Sequence, residues 1–185
     1  MIAAMITMVF AQMVMMIPMS ITSVHMKFHQ HALTAVSLVI SGHTLGMYAF
    51  SVISGRMTDR WGRGPVIILG SIVMMFSCVT AAPSVNLVPL IVTLFLLGLG
   101  WNFAYVAGSA LLADQLSPKE RAKTQGLNDL LLNLAAAASQ VGSGVIYAVG
   151  GFMAMGLTAA AMAVVPIIFV LRWQSSAATA QEREL

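Results

Sequence analysis

Charge is what this chain has least of. Nine Lys or Arg and six Asp or Glu make up 8% of its 185 residues, whereas the surface of a soluble domain takes roughly 25–35% charged side chains. A water-soluble globular fold is excluded on that count. Cysteine is nearly absent too: Cys78 stands alone inside an apolar run, so no intrachain disulfide can form and the redox compartment stays unread. There is no glycine-rich phosphate loop, and no nucleophile, base and orienting group fall together between the apolar runs, which leaves an enzyme reading unsupported. No cofactor is expected. The chain consists instead of hydrocarbon, 59% hydrophobic residues at a mean hydropathy of +0.90. That is the composition of an all-α, multi-pass membrane protein. Its net charge of +3 is therefore no sign of nucleic acid; the basic residues are anchors at the membrane surface, and the lipid bilayer is the first partner.

The apolar runs predict six transmembrane helices, over residues 1–24, 32–54, 65–82, 87–113, 124–148 and 152–171, with a polar, disordered tail at 174–185. The first run has Gln12 as its only strongly polar member and Pro18 as a candidate kink. It lacks a basic stretch before it and a small-residue cleavage site after it, so it reads as a retained span. Met1, Met5, Met8, Met13, Met15, Met16 and Met19 fall all around this helix, a distribution that fits adaptable packing better than a thioether path for Cu(I). His25, Lys27, His29 and His31 fill the connection that follows. Folded back, such a loop could hold a metal; the commoner use of these histidines is interfacial, and no metal site is expected.

In the second span Ser37, Ser41, Thr44, Tyr48 and Ser51 recur at steps of four, three, four and three. That spacing lines one helical face with hydroxyls, which must look at another helix or at a water-filled cavity, because lipid cannot satisfy them. His43 lies at the middle of the same span: a proton-coupling group, or a neutral imidazole hydrogen-bonded to its neighbour. The third span opens at Pro65 and ends before Pro83, with a short uncharged connection at 83–86. The fourth carries Gly100, Ala104 and Gly108, a small face for close helix approach, and Trp101, Asn102 and Tyr105. Asn102 either contacts a substrate or ties helices together.

Charge concentrates in two places. Asp114 to Lys123 contains Ser117-Pro118-Lys119-Glu120, a capping box with proline in the first turn, which starts the helix that takes Gln125, Asn128, Asp129 and Asn133 toward the membrane. Asp129 either pairs with a loop arginine as a gate or sits at headgroup level. The sixth span contains Pro166 and ends on Arg172 and Trp173, an interfacial anchor pair.

The other concentration is Gly55 to Pro65, GRMTDRWGRGP, with Arg56, Asp59, Arg60 and Arg63 between two spans. It predicts a tight loop in which glycines allow a sharp turn, arginines hold the cytoplasmic face, and Asp59 offers a negative charge to a helix start. Its spacing, Gly-x-x-x-Asp-Arg-x-Gly-Arg over Gly55, Asp59, Arg60, Gly62 and Arg63, resembles the signature between the second and third helices of each half of major facilitator superfamily transporters. Gly64 stands where that family often has a second basic residue. The stretch LGWNFAYVAGSALLADQLSPKERAKTQGLND is similar to the region from the tenth to the eleventh helix of bacterial members.

The resemblance implies a transporter of about twelve helices in two six-helix halves, each made of inverted three-helix repeats, with a small-molecule substrate between the halves. This chain would supply one half, most like the second, and would need a second half, from itself or from a separate chain. In that reading Gly55, Asp59, Arg60, Gly62 and Arg63 form a conformational latch, and Ser41, His43, Thr44, Tyr48, Asn102 and Asp129 line the solute path or couple it to protons. The alternative is a non-transporting membrane subunit or a truncated fragment of a twelve-helix transporter. With both charged segments and the tail inside, eight basic residues (Arg56, Arg60, Arg63, Lys119, Arg121, Lys123, Arg172 and Arg183) face the cytoplasm against Lys27 outside. That asymmetry predicts both termini cytoplasmic, in the plasma (inner) membrane.

Overall fold

A computed structural model describes residues 1–81 and 85–182, and side chains as far as 176. Pro83 in the third connection and Arg183 of the basic count lie outside the described residues. Seven α-helices make up the described chain: α1 (Ile2–Phe28), α2 (Leu33–Tyr48), α3 (Ser51–Trp61), α4 (Arg63–Ala81), α5 (Leu87–Asp114), α6 (Pro118–Met162) and α7 (Val164–Glu182). In hydrocarbon every backbone N–H must find its carbonyl within the chain, and the helix does this locally.

Among the described residues five helical rods are long and apolar enough to cross a membrane, the last of them Pro118–Ser176. That last rod folds back on itself. Gly151 inside α6 has φ +66° and ψ −165°, a conformation open to glycine at little steric cost, and a Cβ on Gly150 would lie 2.5 Å from that of Ala154. Neighbours along α1 give the direction of each arm. Asn128 reaches Met8, Ser143 meets Ser20, and both Tyr147 and Phe152 stand against the His25 ring. Val170 has returned to the cluster of Ala4 and Met8. Arms 118–150 and 152–176 are thus antiparallel, and the bundle makes six passes.

Several boundaries differ from the sequence expectation. α1 continues to Phe28, so His25 and Lys27 belong to its last turn and only His29 and His31 to the connection. The second pass is interrupted at Ala49–Phe50 and resumes as α3 through Trp61. The expected loop at Gly55–Pro65 is therefore helical except at Gly62, because Gly62 alone takes the positive φ (+92°) that turns the chain. α4 starts at Arg63, with Pro65 inside its first turn, where its missing N–H costs nothing. The sixth pass breaks at Ala163, where Pro166 removes a donor and crowds the carbonyl of residue 162. Beyond it the helix runs to Glu182, so 174–182 is helical where a disordered tail was expected.

α5 is the hub. A Cβ on Gly70 would lie 2.6 Å from the Gly100 carbonyl oxygen, and one on Gly100 would lie 2.8 Å from that of Gly70. Gly46 on α2 meets the Phe95 carbonyl, and Gly98 meets the His43 carbonyl, more closely still. These paired glycines let α5 lie backbone to backbone against α4 and α2, which is how helices bind in lipid, where apolar side chains gain little by leaving it. Gly108 instead meets the Met8 side chain of α1. Steps of four drift around a helix of 3.6 residues per turn, so Gly100, Ala104 and Gly108 serve two neighbours. Met8, Met15, Met26 and Met74 are buried among the helices, filling gaps between them.

Candidate functional site

Among the described residues, three regions hold most of the polar side chains. At one end of the bundle, the N-terminus hydrogen-bonds Gln115, and Gln174 lies against Gly64. Between them Arg63, the first residue of α4, carries the charge network. Its Nε donates to Asp114 Oδ2 at 2.9 Å, and its Nη1 to Asp59 Oδ1 at 3.3 Å and to the Thr58 carbonyl at 3.1 Å. One guanidinium, 28% exposed, thus ties the C-terminal ends of α3 and α5 to the start of α4. Thr58, buried on the inner face of α3, returns its hydroxyl to the Ser54 carbonyl one turn back in the same helix.

Of the five expected latch residues, Asp59, Gly62 and Arg63 are brought together here. Arg60 is exposed in the last turn of α3, where its charge suits the helix dipole. Gly55 sits inside α3, and a Cβ there would meet nothing within 4 Å; no turn requires it. The sequence reading gave no part to Asp114, which supplies the contact to α5. Its position at the end of a 28-residue apolar helix, on the same side as the arginines, is the signal that pointed to it.

The second region runs along α5. Asn102, 2% exposed, donates through Nδ2 to the Met47 carbonyl at 2.6 Å and to Ser51 Oγ at 2.9 Å, while Ser54 Oγ donates to its Oδ1. Met47 is among the last four residues of α2, whose carbonyls have no partner in their own helix. Asn102 thus fastens the α2–α3 interruption to α5. His43 is also buried in that seam, with Nδ1–H donating to the Leu94 carbonyl at 2.8 Å. Both residues tie helices.

The hydroxyl stripe of α2 faces outward. Ser41, Thr44 and Tyr48 are exposed; Ser37 and Thr44 return hydrogen bonds to the carbonyls four residues earlier, and Ser51 to the Tyr48 carbonyl. Tyr48 sets its ring edge-on to Trp101 at 6.4 Å, and Trp101 stacks on Tyr105 at 4.7 Å and 13°. Trp101 Nε1 donates to Gln12 at 2.9 Å, so the mid-span amide of α1 joins this group. Below it a cavity of about 200 Å³ is lined by Tyr105, Ser109, Leu112, Gln125, Asn128 and Asp129. Asp129 is exposed here and pairs with no arginine among the described residues. Tyr105, Ser109, Gln125 and Asn128 had no assigned role in the sequence reading, since nothing in the spacing of two different helices relates them.

At the opposite end the histidines diverge. His25 stacks on Phe152 at 4.2 Å, His29 Nδ1–H donates to the His25 carbonyl at 2.9 Å, and His31 Nε2–H to the Val85 carbonyl at 2.8 Å. They staple α1 to the Gly151 turn and to the start of the fourth pass.

Helices without charged flanks in mid-span, glycine seams, and large apolar side chains such as Val141, Val145 and Val149 turned outward define a multi-pass membrane protein. A family model of the Major Facilitator Superfamily matches residues 4–185, and the chain belongs to that superfamily. It is 41% identical over 152 residues to the uncharacterized MFS-type transporter YdeG of Bacillus subtilis, covering 81% of this chain and 35% of that protein. It is 38% identical to YddS of the same organism, over 90% of this chain and 38% of the relative. Similarity to the riboflavin transporter RfnT of Brucella anthropi is 28% over 88% of this chain and 42% of RfnT. The chain thus spans well under half the length of these relatives.

Proposed function

We propose that this chain is one six-helix half of a secondary active transporter, moving a small organic solute by alternating access against a second six-helix body. The observation that carries the reading is the exposed Tyr48 with half-buried Gln12 and Tyr105, set around the buried Trp101, and the acidic cavity below them. Such a surface is costly against lipid and is matched by a facing bundle or a wet path. A segment of a longer transporter and a separate chain assembling with its second half both fit the 35–42% coverage of the relatives, and both require that second body. The two inverted three-helix repeats expected of the family would divide the chain at the connection between α4 and α5.

Arg63 with Asp59 and Asp114 acts as the latch, closing the charged end in one state and releasing it in the other; salt weakens exposed ion pairs, which suits a contact that must open. The eight-to-one basic asymmetry supports a cytoplasmic position for this end and for both termini, in the plasma (inner) membrane. Asp129 is the candidate for proton coupling, ahead of His43, whose Nδ1 is committed to the α2–α5 seam. The reading assigns the chain no bond-making chemistry.

The test is uptake by proteoliposomes holding the protein with its second half, over a panel of labelled solutes that begins with riboflavin, the solute in a relative's name. Saturable uptake, slowed by Asp59→Asn and abolished when the proton gradient is collapsed, is the expected result. A second body that never associates, with no flux for any solute, would leave the non-transporting subunit as the better description.

A further inference from the structure

The cavity between α5 and α6 carries a chemical preference of its own. Asn128 is 3% exposed; its Nδ2 reaches the Met8 sulfur at 3.8 Å, and its Oδ1 has no hydrogen-bond partner among the described residues. A buried amide carbonyl left unpaired is costly, so a donor is expected to reach it. Beside it stand the Asp129 carboxylate, the Tyr105 phenol and the Ser109 hydroxyl. Among the described residues no basic side chain lines the space, and the nearest basic residues earlier in α6, Lys123 and Arg121, are exposed. The set is rich in oxygen acceptors and carries one negative charge; the one sulfur beside it, Met8 Sδ, accepts from both Ser109 Oγ and Asn128 Nδ2, and a lone thioether is a poor soft-metal site.

Size narrows the choice. About 200 Å³ is room for roughly six or seven waters at ~30 Å³ each, too wide for a bare alkali ion to touch all its walls. One side of it is aromatic and apolar, where Tyr105 lines the space beside Leu112 and stacks on Trp101 behind it, a wall that suits an apolar body.

From this juxtaposition we infer that the cavity binds the primary ammonium of a small amphiphilic amine: N–H donors meet Asp129 and Asn128 Oδ1, and the apolar body lies toward the Tyr105–Trp101 pair. The inference rests on the transporter reading for its biological meaning, but binding is measured without flux.

The test uses the protein in lipid nanodiscs and labelled 2-phenylethylammonium in equilibrium dialysis. Saturable binding is expected, weakened on the order of tenfold or more by Asp129→Asn, because a charge-assisted hydrogen bond is lost. Asn128→Ala should weaken it several-fold, and Glu120→Gln, which removes a carboxylate from the same helix away from the cavity, should leave it unchanged. Neutral 2-phenylethanol should not compete. Asp129 is exposed and forms no ion pair among the described residues, so its variant should keep the wild-type circular dichroism even where Asn128→Ala misfolds. Three results would overturn the assignment: no saturable binding by folded wild-type protein, equal binding by Asp129→Asn, or equal competition by the neutral alcohol. Displacement by low millimolar sodium, one ion per amine, would reassign the cavity to an alkali cation and overturn it as well. Flux lost with binding intact would count against the transporter reading alone; binding lost with flux intact would count against the amine site alone.

Discussion

The two long flanks of this bundle are built on opposite plans. Along α5, where it meets α2 and α4, backbones touch through paired glycines, and the buried polar groups His43 and Asn102 all have partners. Along the first arm of α6, only a narrow stripe through Asn128, Leu132, Ser139 and Ser143 is buried, while Gly126, Gly142 and Gly144 have open space where a Cβ would stand. Glycine at a seam and glycine on the open arm are the same residue with different physical roles. The first locks backbone against backbone; the second leaves open space between outward side chains such as Val141 and Val145.

The largest effect should come from breaking that seam. Gly98→Ala would drive a methyl into the His43 carbonyl and against the Met47 N–H, and backbone cannot step aside as a flexible side chain can. We expect a loss of about 1–3 kcal/mol, read as a lower thermal midpoint in detergent. Gly142→Ala on the open arm should instead leave stability unchanged or raise it by up to about 1 kcal/mol, as alanine replaces glycine inside a helix.

Next in size is Asn102→Ala, which leaves the Met47 carbonyl and the Ser51 and Ser54 hydroxyls without their amide. A cost of about 1–3 kcal/mol is expected, with protease sensitivity concentrated at Ala49–Phe50. If Asn102 served a substrate and not the helix interruption, stability would stay at wild type.

A smaller effect on folding is expected from Asp114→Asn at the charged end. That ion pair is exposed, 28% and 54% on its two side chains, and such pairs contribute about 0–1 kcal/mol. Its consequence should appear in the opening of the charged end, as faster labelling of a cysteine placed at Gly64, with high salt mimicking the variant in the wild type.

How far the sequence foretold this depended on the range of each signal. Hydropathy and the Gly55–Arg63 spacing are local, and they predicted helices, passes and family. The break at Ala49–Phe50 left no local trace: it has neither proline nor glycine, and its partner Asn102 comes from another helix. His43 and Asn102 left a path role and a helix tie both open, because a polar group in mid-span fits either; across the α2–α5 seam His43 bonds the Leu94 carbonyl and Asn102 the Met47 carbonyl. Asp129 was visible as an isolated acid, but the cavity beside it was not, since Tyr105 and Ser109 reach it from α5.

The smallest effect should be at the start of α6. The Ser117 hydroxyl at 2.5 Å and its backbone N–H at 3.3 Å, in that order of influence, hold the Glu120 carboxyl below its ordinary value at this exposed first turn, ahead of the apolar part of the helix. A lowered carboxyl pKa contributes stability that is present above the ordinary carboxylate range and lost as pH falls through the lowered value. Glu120→Gln should therefore melt slightly earlier than wild type at neutral pH, with the difference vanishing in acid.

The contrast between a dry seam and a wet open face is tested most directly by thiol reactivity in the membrane of expressing cells. With Cys78 replaced by alanine, single cysteines at Ser109 and Thr44 on the open face, and at Ser77 and Thr93 in the α4–α5 seam, are exposed to a small charged methanethiosulfonate. Fast labelling at the first pair and none at the second is the result expected of a half bundle facing a water-filled path. Equal rates at all four, or an open face as unreactive as the seam, would mean that this surface meets lipid or packed protein and would contradict the account.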